Sequence, residues 1–280
     1  MTRLLEGKII AQRLKEDLRK RIEKLKIKPL LSSVLVGEDS SAQIYINAQK
    51  KLSQDLGIGY QLYTLSKDTT EDYLIDFIQR LNLDKTVNGI IIQMPLPERL
   101  NRKKIIKAIS PYKDVEGIHP TNLGRIFFGD TQVLPCTVLA VIELLRETRV
   151  NLYGKEVVII GHSEIVGKPL SILLLNEFAT VTVCHIATSD VGRLKEHVQR
   201  AEVLIVAVGK ANLIKGEWIK EGAIVIDVGI NKLGEKIVGD VEFDKAKEKT
   251  SFITPVPGGV GALTTVMLIK NLISLIEESF

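Results

Sequence analysis

The chain has 280 residues, of which 45% are hydrophobic and 26% are charged, a composition close to the globular average. It excludes a disordered, collagen-like or low-complexity protein, and the length predicts two domains. Lys and Arg number 38 against 34 Asp and Glu, so the net charge is only +4. The basic residues are interleaved with acidic ones, a pattern typical of solvated helix faces, so we expect no nucleic-acid partner.

No apolar run approaches the ~18–20 residues needed to span a membrane, and the N-terminus lacks the apolar core and cleavage site of a signal peptide. We therefore expect a soluble, cytoplasmic protein with no membrane partner. Cys136 and Cys184 lie far apart in the sequence, without partners at metal-ligand spacing. We interpret them as reduced thiols of a cytosolic protein and expect no metal site.

In the first half of the chain, short apolar runs alternate with helical patterns. The sequence predicts strands over residues 31–36, 60–65 and 89–94, and helices over residues 7–25, 41–56 and 70–81. In the second half it predicts strands over residues 156–160, 181–185, 203–208 and 224–228, and helices over residues 167–177, 191–199 and 240–249. Near-continuous Val/Ile runs separated by helices indicate parallel strands that are buried on both faces. The predicted fold class is therefore α/β, doubly wound.

A helix over residues 137–148 and a turn over 151–154 indicate the break between the two domains. We expect a first domain over residues 1–140 and a second over residues 141–260. The segment 261–280 has the pattern of one long amphipathic helix. It either completes the second domain or packs back on the first, and periodicity does not decide between these.

A glycine turn over residues 161–167 follows the strand 156–160 and precedes a helix, and this geometry can hold a pyrophosphate. Ser163 takes the place of the second glycine of a dinucleotide fingerprint, so a plain strand–turn–helix connection is the alternative. Glycines at the ends of the strands 203–208 and 224–228, among them Gly209, favour a dinucleotide crevice. The end of the strand 181–185 offers neither an acid for a ribose hydroxyl nor an Arg for a 2′-phosphate. The choice between NAD and NADP therefore stays open on physical grounds.

Three segments of the first half are unusual. In the first, Ser40 is placed to cap a helix that contains Tyr45. In the second, Gln93 interrupts a buried strand at its carboxyl end, and in the third two acids and a His surround a glycine turn over residues 113–120. Each has a structural alternative: a capped surface helix, a strand with a polar end, and an acidic loop.

Together with a Thr-Pro-Val-Pro-Gly-Gly-Val-Gly loop at 254–261, these motifs carry a family resemblance. From Gly7 to about Leu275, the chain resembles the bifunctional methylenetetrahydrofolate dehydrogenase/cyclohydrolase family. The resemblance implies a folate-binding domain and a Rossmann-like domain that face each other across a cleft. It also implies oxidation of 5,10-methylene-tetrahydrofolate with NADP⁺, hydrolysis of the methenyl product to 10-formyl-tetrahydrofolate, and a homodimer.

The resemblance also assigns roles to individual positions. Tyr45 matches the Tyr that lies over the substrate, and Gln93 matches the Gln that orients a hydrolytic Lys. The acid that holds the pterin ring is Glu116 here, whereas the family has Asp. The loop that closes beside the substrate is matched at Pro257, Gly258 and Gly261.

Gln49 stands where the family has the Lys of the hydrolytic step. An amide has no proton that titrates near neutrality, so Gln49 cannot act as a general acid or base. Lys50 and Lys51 do not replace it easily. Counted around the helix from Tyr45, Gln49 lies about 40° away, whereas Lys50 lies about 140° away. Hydride transfer depends mainly on positioning, so it does not require this Lys.

The cofactor site departs from the family as well. The family usually has Arg where His162 stands and Ser or Arg where Ile186 stands, and both changes weaken the case for a 2′-phosphate contact. We expect NADP as the cofactor, with NAD as the alternative. The expected cofactor-binding residues are Gly161, His162, Ser163, Gly167, Ile186, Gly209 and Ile230.

The sequence therefore predicts a methylenetetrahydrofolate dehydrogenase whose cyclohydrolase activity is weak or absent. Two alternatives remain open. One is full bifunctionality with another base in place of the missing Lys. The other is a catalytically silent subunit that binds folate or a dinucleotide.

Overall fold

The structure is a computed structural model that describes residues 2–278. The chain forms two compact units. One comprises Arg13–Cys136 and the segment from Thr265 onward, and we call it the three-stranded unit after its sheet. The other comprises the residues up to Gln12 and Thr137–Thr264, and we call it the six-stranded unit.

The helices and strands follow one another in an α/β pattern. The helices are α1 (Gly7–Glu23), α2 (Ser40–Asp55), α3 (Glu71–Leu83), α4 (Arg102–Ala108), α5 (Pro120–Arg125), α6 (Cys136–Thr148), α7 (Gly167–Asn176), α8 (Ile186–Asp190), α9 (Leu194–Arg200), α10 (Phe243–Lys249) and α11 (Thr264–Glu278). The strands are β1 (Arg3–Leu4), β2 (Leu30–Val36), β3 (Gly59–Leu65), β4 (Gly89–Ile92), β5 (Glu156–Ile160), β6 (Thr180–Cys184), β7 (Val203–Val206), β8 (Ile224–Asp227), β9 (Asn231–Leu233), β10 (Lys236–Val238) and β11 (Phe252–Ile253).

The three-stranded unit has a parallel sheet in the order β3–β2–β4. Val34 of β2 pairs with Tyr63 of β3 on one side and with Ile92 of β4 on the other. All four residues of β4 are buried, as expected for a strand that is covered on both faces. The carboxyl ends of β2 and β4 therefore lie side by side, and the residues that follow them meet at one edge.

The six-stranded unit has a parallel sheet in the order β1–β11–β8–β7–β5–β6. The strands β7 and β8 are buried throughout, and β5 is buried except for half-buried Glu156 at its start. The chain moves outward to β6 on one side of β5 and to β7 on the other, which makes the carboxyl edge at β5 and β7 a topological switch point. The doubly wound α/β fold in two domains, which the sequence predicts, is confirmed.

The final helix, α11, packs in the three-stranded unit. The buried side chain of Asn271 donates to the backbone oxygens of Val115 (2.9 Å) and Leu134 (2.8 Å). A Cβ at Gly89 of β4 would lie 2.8 Å from Leu272 Cδ1, so the helix covers the sheet closely there. Each fully buried Leu or Ile on this helix contributes roughly 1.5–3 kcal/mol of transfer free energy.

Several local expectations differ from the structure. Asp39, and not Ser40, caps α2, because its carboxylate accepts from the N–H of Ala42 at 2.8 Å. The helix expected over 191–199 begins only at Leu194, and the separate helix α8 precedes it. The first domain was expected to start at residue 1, whereas β1 pairs with β11 in the six-stranded sheet. Such a two-residue strand carries too little periodicity to be read from sequence.

Candidate active site

Two glutamines from different elements meet inside the three-stranded unit. Gln49 lies on α2 and is fully buried, and Gln93 follows β4 and is 2% exposed. Gln93 Nε2 donates to Gln49 Oε1 and to Ser33 Oγ, each at 2.9 Å. The hydroxyl of Tyr60 on β3 donates to the same Gln49 Oε1 at 3.0 Å. These four side chains form a buried network of neutral groups.

The network fixes the orientation of the Gln49 amide. Its oxygen accepts two hydrogen bonds, which leaves Nε2 as a donor that is buried and has no hydrogen-bond partner among the described residues. An unpaired buried donor costs about 1–3 kcal/mol. Burial raises the pKa of Tyr60 above its ordinary value, partly offset by a hydrogen bond with Ser33. None of the four side chains therefore supplies a base at neutral pH.

Tyr45 lies one helical turn before Gln49 on α2 and is half-buried. Residues i and i+4 of a helix share a face, so Tyr45 and Gln49 point to the same side. Lys50 and Lys51 are exposed. Each residue turns by about 100° around the helix axis, so Lys50 and Lys51 point about 100° and about 200° away from Gln49. Neither amine therefore shares the position of the Gln49 amide.

The loop over residues 113–120 is built around Asp114, which is 1% exposed. Its carboxylate accepts from the backbone N–H of Gly117 (3.1 Å) and of His119 (2.7 Å), and from Asn122 Nδ2 (2.9 Å). A Cβ at Gly117 would lie 2.3 Å from the backbone of Leu134, and φ there is +68°, so only glycine fits. The buried Asp114 therefore holds the backbone that presents Glu116.

Glu116 is a titratable group of this loop with a strongly displaced pKa. Desolvation is the largest cause, the negative charge of Asp114 adds to it, and Arg102 opposes both; together they raise the pKa of Glu116 to about 8. The side chain is half-buried and hence reachable by a ligand. A carboxyl group of this kind is a candidate binding group for a substrate with N–H donors.

The glycine turn of the six-stranded unit is shaped by two close approaches. Gly161 has φ +120°, and a Cβ there would lie 2.3 Å from the Ala207 oxygen. A Cβ at Gly167 would lie 2.0 Å from the Gly161 oxygen, and α7 begins at Gly167. Ser163 accepts from the N–H of Val166 at 3.2 Å, which stabilises the turn where the fingerprint glycine is missing. A cradle with no room for a Cβ, at the N-terminus of a ten-residue helix, fits a pyrophosphate.

Two imidazoles lie at the ends of β5 and β6. The rings of His162 and His185 have centroids 5.1 Å apart, and both residues are exposed. The N–H of Thr188 donates to the backbone oxygen of His185 at 3.0 Å, and the N–H of His185 donates to Thr188 Oγ1 at 3.2 Å, at the start of α8. Ile186 is the first residue of α8 and is 70% exposed, so it presents an apolar side chain at this end of the sheet.

The remaining expected site residues lie in the loops after β7, β8 and β11. Gly209 is in the turn after β7, and Ile230 is 65% exposed after β8. A Cβ at Gly261 would lie 3.3 Å from Ile230 Cδ1, so these two positions are neighbours. Pro257 is exposed, and the oxygen of Gly258 accepts from the N–H of Gly7 at 2.8 Å.

Two buried acids that the sequence patterns did not single out, Asp227 and Asp240, hold these loops together. Asp227 ends β8 and is 4% exposed, and Asp240 is fully buried. The sequence signal was an acid at the end of the apolar run Ile-Val-Ile-Asp and a Gly-Asp pair at 239–240. The carboxylate of each acid accepts hydrogen bonds from three backbone N–H groups.

Comparison with known proteins decides the family. The family model "Tetrahydrofolate dehydrogenase/cyclohydrolase, catalytic domain" matches residues 5–116, and the model of the family's NAD(P)-binding domain matches residues 135–280. The chain belongs to the tetrahydrofolate dehydrogenase/cyclohydrolase family. The family resemblance and the α/β fold predicted from the sequence are thereby confirmed, as is an enzyme of this class with an NAD(P)-binding domain.

Relatives of this family cover the whole chain. The bifunctional protein FolD of Bacillus pumilus is 48% identical over 272 residues, which is 96% of this chain and 95% of the relative. The structure of the bifunctional enzyme FolD from Campylobacter jejuni is 41% identical, with a TM-score of 0.96 over 100% of both chains. A FolD structure from Trypanosoma brucei, complexed with NADP and an inhibitor, is 33% identical with a TM-score of 0.92, covering 99% of this chain and 98% of that one.

Among residues 2–278, no helix combines the length and the apolar character that a membrane crossing requires.

Proposed function

We propose that this protein oxidises 5,10-methylene-tetrahydrofolate with NADP⁺ or NAD⁺ and hydrolyses the methenyl product weakly or not at all. The three-stranded unit would bind the folate and the six-stranded unit the dinucleotide, in line with the two family models. The observation that carries the second half of the proposal is the buried amide of Gln49, held by Gln93 and Tyr60 in a neutral network.

The residues needed for oxidation are present. The lone pair of a folate nitrogen drives hydride loss from the one-carbon bridge, so the chain needs no acid or base for this step. When bound, the oxidised nicotinamide ring accepts the hydride. The task of the chain is to place the bridge, and Tyr45, Gln93 and Glu116 are the residues that we assign to folate. Gly161 and Gly167 form the cradle for the pyrophosphate.

The hydrolytic step makes a different demand. Water must lose a proton as it attacks the methenyl carbon, and a positioned base typically contributes about 10²–10⁴-fold to such a step. Gln49 occupies the family's Lys position, and its amide cannot take that proton. Burial raises the pKa of Tyr60, and Lys50 is exposed on another face of α2. Full bifunctionality would require a base from elsewhere, and it remains the alternative.

The test is one assay that follows both steps with each cofactor. The protein is supplied with methylene-tetrahydrofolate and NADP⁺ or NAD⁺, and the reduced cofactor, methenyl-tetrahydrofolate and 10-formyl-tetrahydrofolate are measured. We expect reduced cofactor and accumulation of the methenyl compound. Conversion to the formyl product as fast as oxidation would contradict the loss of hydrolysis, and the absence of any oxidation would favour a silent binding subunit.

The apparent KM for methylene-tetrahydrofolate is expected to fall as pH rises toward 8. Burial and Asp114 raise the pKa of Glu116 to about 8, so the group is largely protonated at neutral pH. The N–H donors of a pterin ring require the ionised carboxylate, so binding below this pKa must release a proton. Each pH unit below 8 should then weaken binding by up to about tenfold. Glu116→Gln should bind more weakly near pH 8 and show no such slope, whereas a flat profile for the unmodified protein would overturn this role.

Discrimination between NADP and NAD is expected to be weak. His162 and Ile186 stand where an Arg would form a bidentate contact with a 2′-phosphate. Replacing His162 by Arg should raise the NADP/NAD ratio of kcat/KM by about tenfold, since a charge-assisted hydrogen bond adds about 1.5–3 kcal/mol. An unmodified protein that already prefers NADP strongly, with no gain in His162→Arg, would refute this expectation.

We infer from the family resemblance that the working form is a homodimer. Sedimentation equilibrium at assay concentrations tests this, since a monomer has a mass of 31.1 kDa and a dimer twice that value.

A further inference from the structure

We propose that Asp240 is a positioning residue for the nicotinamide half of the cofactor, and that it shapes the turn after β7 into a surface for a group that carries no negative charge. The inference rests on the proposed function, because it takes the six-stranded unit to bind a nicotinamide dinucleotide. Asp240 lies outside the glycine turn after β5, and the sequence patterns for dinucleotide binding do not include it.

The turn after β7 is tied to one carboxylate. The backbone N–H groups of Val208 (2.8 Å) and Gly209 (2.9 Å) donate to Asp240 Oδ2, and that of Lys210 donates to Oδ1 at 2.8 Å. Asn231 Nδ2 adds a fourth hydrogen bond to Oδ1 at 2.8 Å. Three successive N–H groups on one fully buried acid determine the conformation of the turn.

Asp240 is itself held in place by Asp227 at the end of β8. Asp227 Oδ1 accepts from the N–H of Asp240 (3.1 Å) and of Gly229 (2.9 Å). A Cβ at Gly229 would lie 2.2 Å from the Asp240 carboxyl carbon, so the loop after β8 lies directly against this acid. The position of the turn after β7 is therefore fixed relative to the ends of both β7 and β8.

This arrangement decides what the turn can bind. Successive backbone N–H groups at the carboxyl edge of a sheet commonly bind phosphate. Here all three are occupied by Asp240, and the negative charge behind the turn disfavours a second anion. The outward surface carries Val208, whose side chain is 39% exposed, and a glycine that lets a ligand approach the backbone. Such a surface fits a ribose or a ring without negative charge, such as the oxidised nicotinamide ring.

The sheet order indicates which part of the dinucleotide reaches this turn. In a doubly wound sheet, the pyrophosphate lies at the first glycine turn, here after β5, and the adenosine ribose is contacted from the end of the next strand, here β6. β7 and β8 lie on the other side of β5. The nicotinamide half is therefore the part that extends to the turn held by Asp240.

The test compares two ligands by calorimetric titration: NADP⁺ or NAD⁺, whichever binds the unmodified protein more tightly, and adenosine 5′-diphosphate, which lacks the nicotinamide half. Asp240→Asn replaces one acceptor oxygen by a donor that faces N–H groups. We expect the dissociation constant of the dinucleotide to rise about tenfold or more, and that of adenosine 5′-diphosphate to change by less than about twofold. Asp244→Asn is the matched control, since Asp244 is exposed on α10 in the same unit, and it should change neither constant.

Asn231→Ala provides a milder variant that removes a single hydrogen bond to Asp240 and serves if Asp240→Asn does not fold. It should shift the dinucleotide constant in the same direction by a few-fold. Equal weakening of both ligands, or no weakening of either, would overturn the role of Asp240. Failure of the unmodified protein to bind either ligand would instead overturn the proposed function itself.

Discussion

Replacing Gln49 by Lys is expected to raise the rate of methenyl-tetrahydrofolate hydrolysis by about 10²–10⁴-fold, the usual contribution of a positioned base. The position is fully buried beside Gln93 and Tyr60. Burial lowers the pKa of a lysine toward neutrality, which makes its amine an effective base. Gln93 can turn its amide so that the oxygen faces the amine, and the Tyr60 hydroxyl can accept as well as donate. The oxidation step should change far less, since it needs no base.

The hydrolysis of supplied methenyl-tetrahydrofolate is the direct measurement, with the oxidation rate recorded on the same preparation. Gln54→Lys makes the same substitution at an exposed position of α2 and should leave both rates as they are. If the unmodified protein already hydrolyses the methenyl compound as fast as it forms it, and Gln49→Lys adds nothing, the role of Gln49 is wrong. The base would then come from Lys50 or from outside this helix.

Replacing Gly161 by Val should raise the apparent KM for the dinucleotide by about 10²-fold. This is the loss expected when binding groups are displaced by roughly 1 Å. A Cβ at this position would lie 2.3 Å from the Ala207 oxygen, and φ is +120°, which side chains rarely adopt. The turn must move away from the Ala207 backbone, and the N–H groups that face the pyrophosphate move with it.

Gly222→Val is the control that separates the collision with the Ala207 backbone from the strain of a side chain at positive φ. Gly222 lies in the same unit at φ +76°, and a Cβ added there would meet nothing within 4 Å, so its substitution adds backbone strain without the collision. We expect it to lower the thermal midpoint and to leave the cofactor KM unchanged. An unchanged cofactor KM in a folded Gly161→Val protein would move the pyrophosphate site away from this turn.

Features that depend only on residues close together in the sequence could be predicted from the sequence alone. Buried parallel strands such as β5 and β7 follow from Val/Ile runs, and their placement between helices makes the fold α/β. The glycine turn at 161–167 could be recognised because its strand, glycines and helix are contiguous. The hypothesis that Gln49 stands at the position of a hydrolytic Lys also comes from the sequence, since it needs only the spacing from Tyr45.

Contacts between distant segments emerge only in the folded chain. The Gln49 amide is held by Gln93, 44 residues away, and the Asp240 carboxylate binds a turn about 30 residues earlier. The placement of α11 against β4 depends on Asn271 and on packing beside Gly89, not on the periodicity of the helix. Local patterns specify which face of an element is apolar, but they do not specify which distant surface will cover it. That choice is made when the whole chain buries its apolar faces and pairs its buried polar groups.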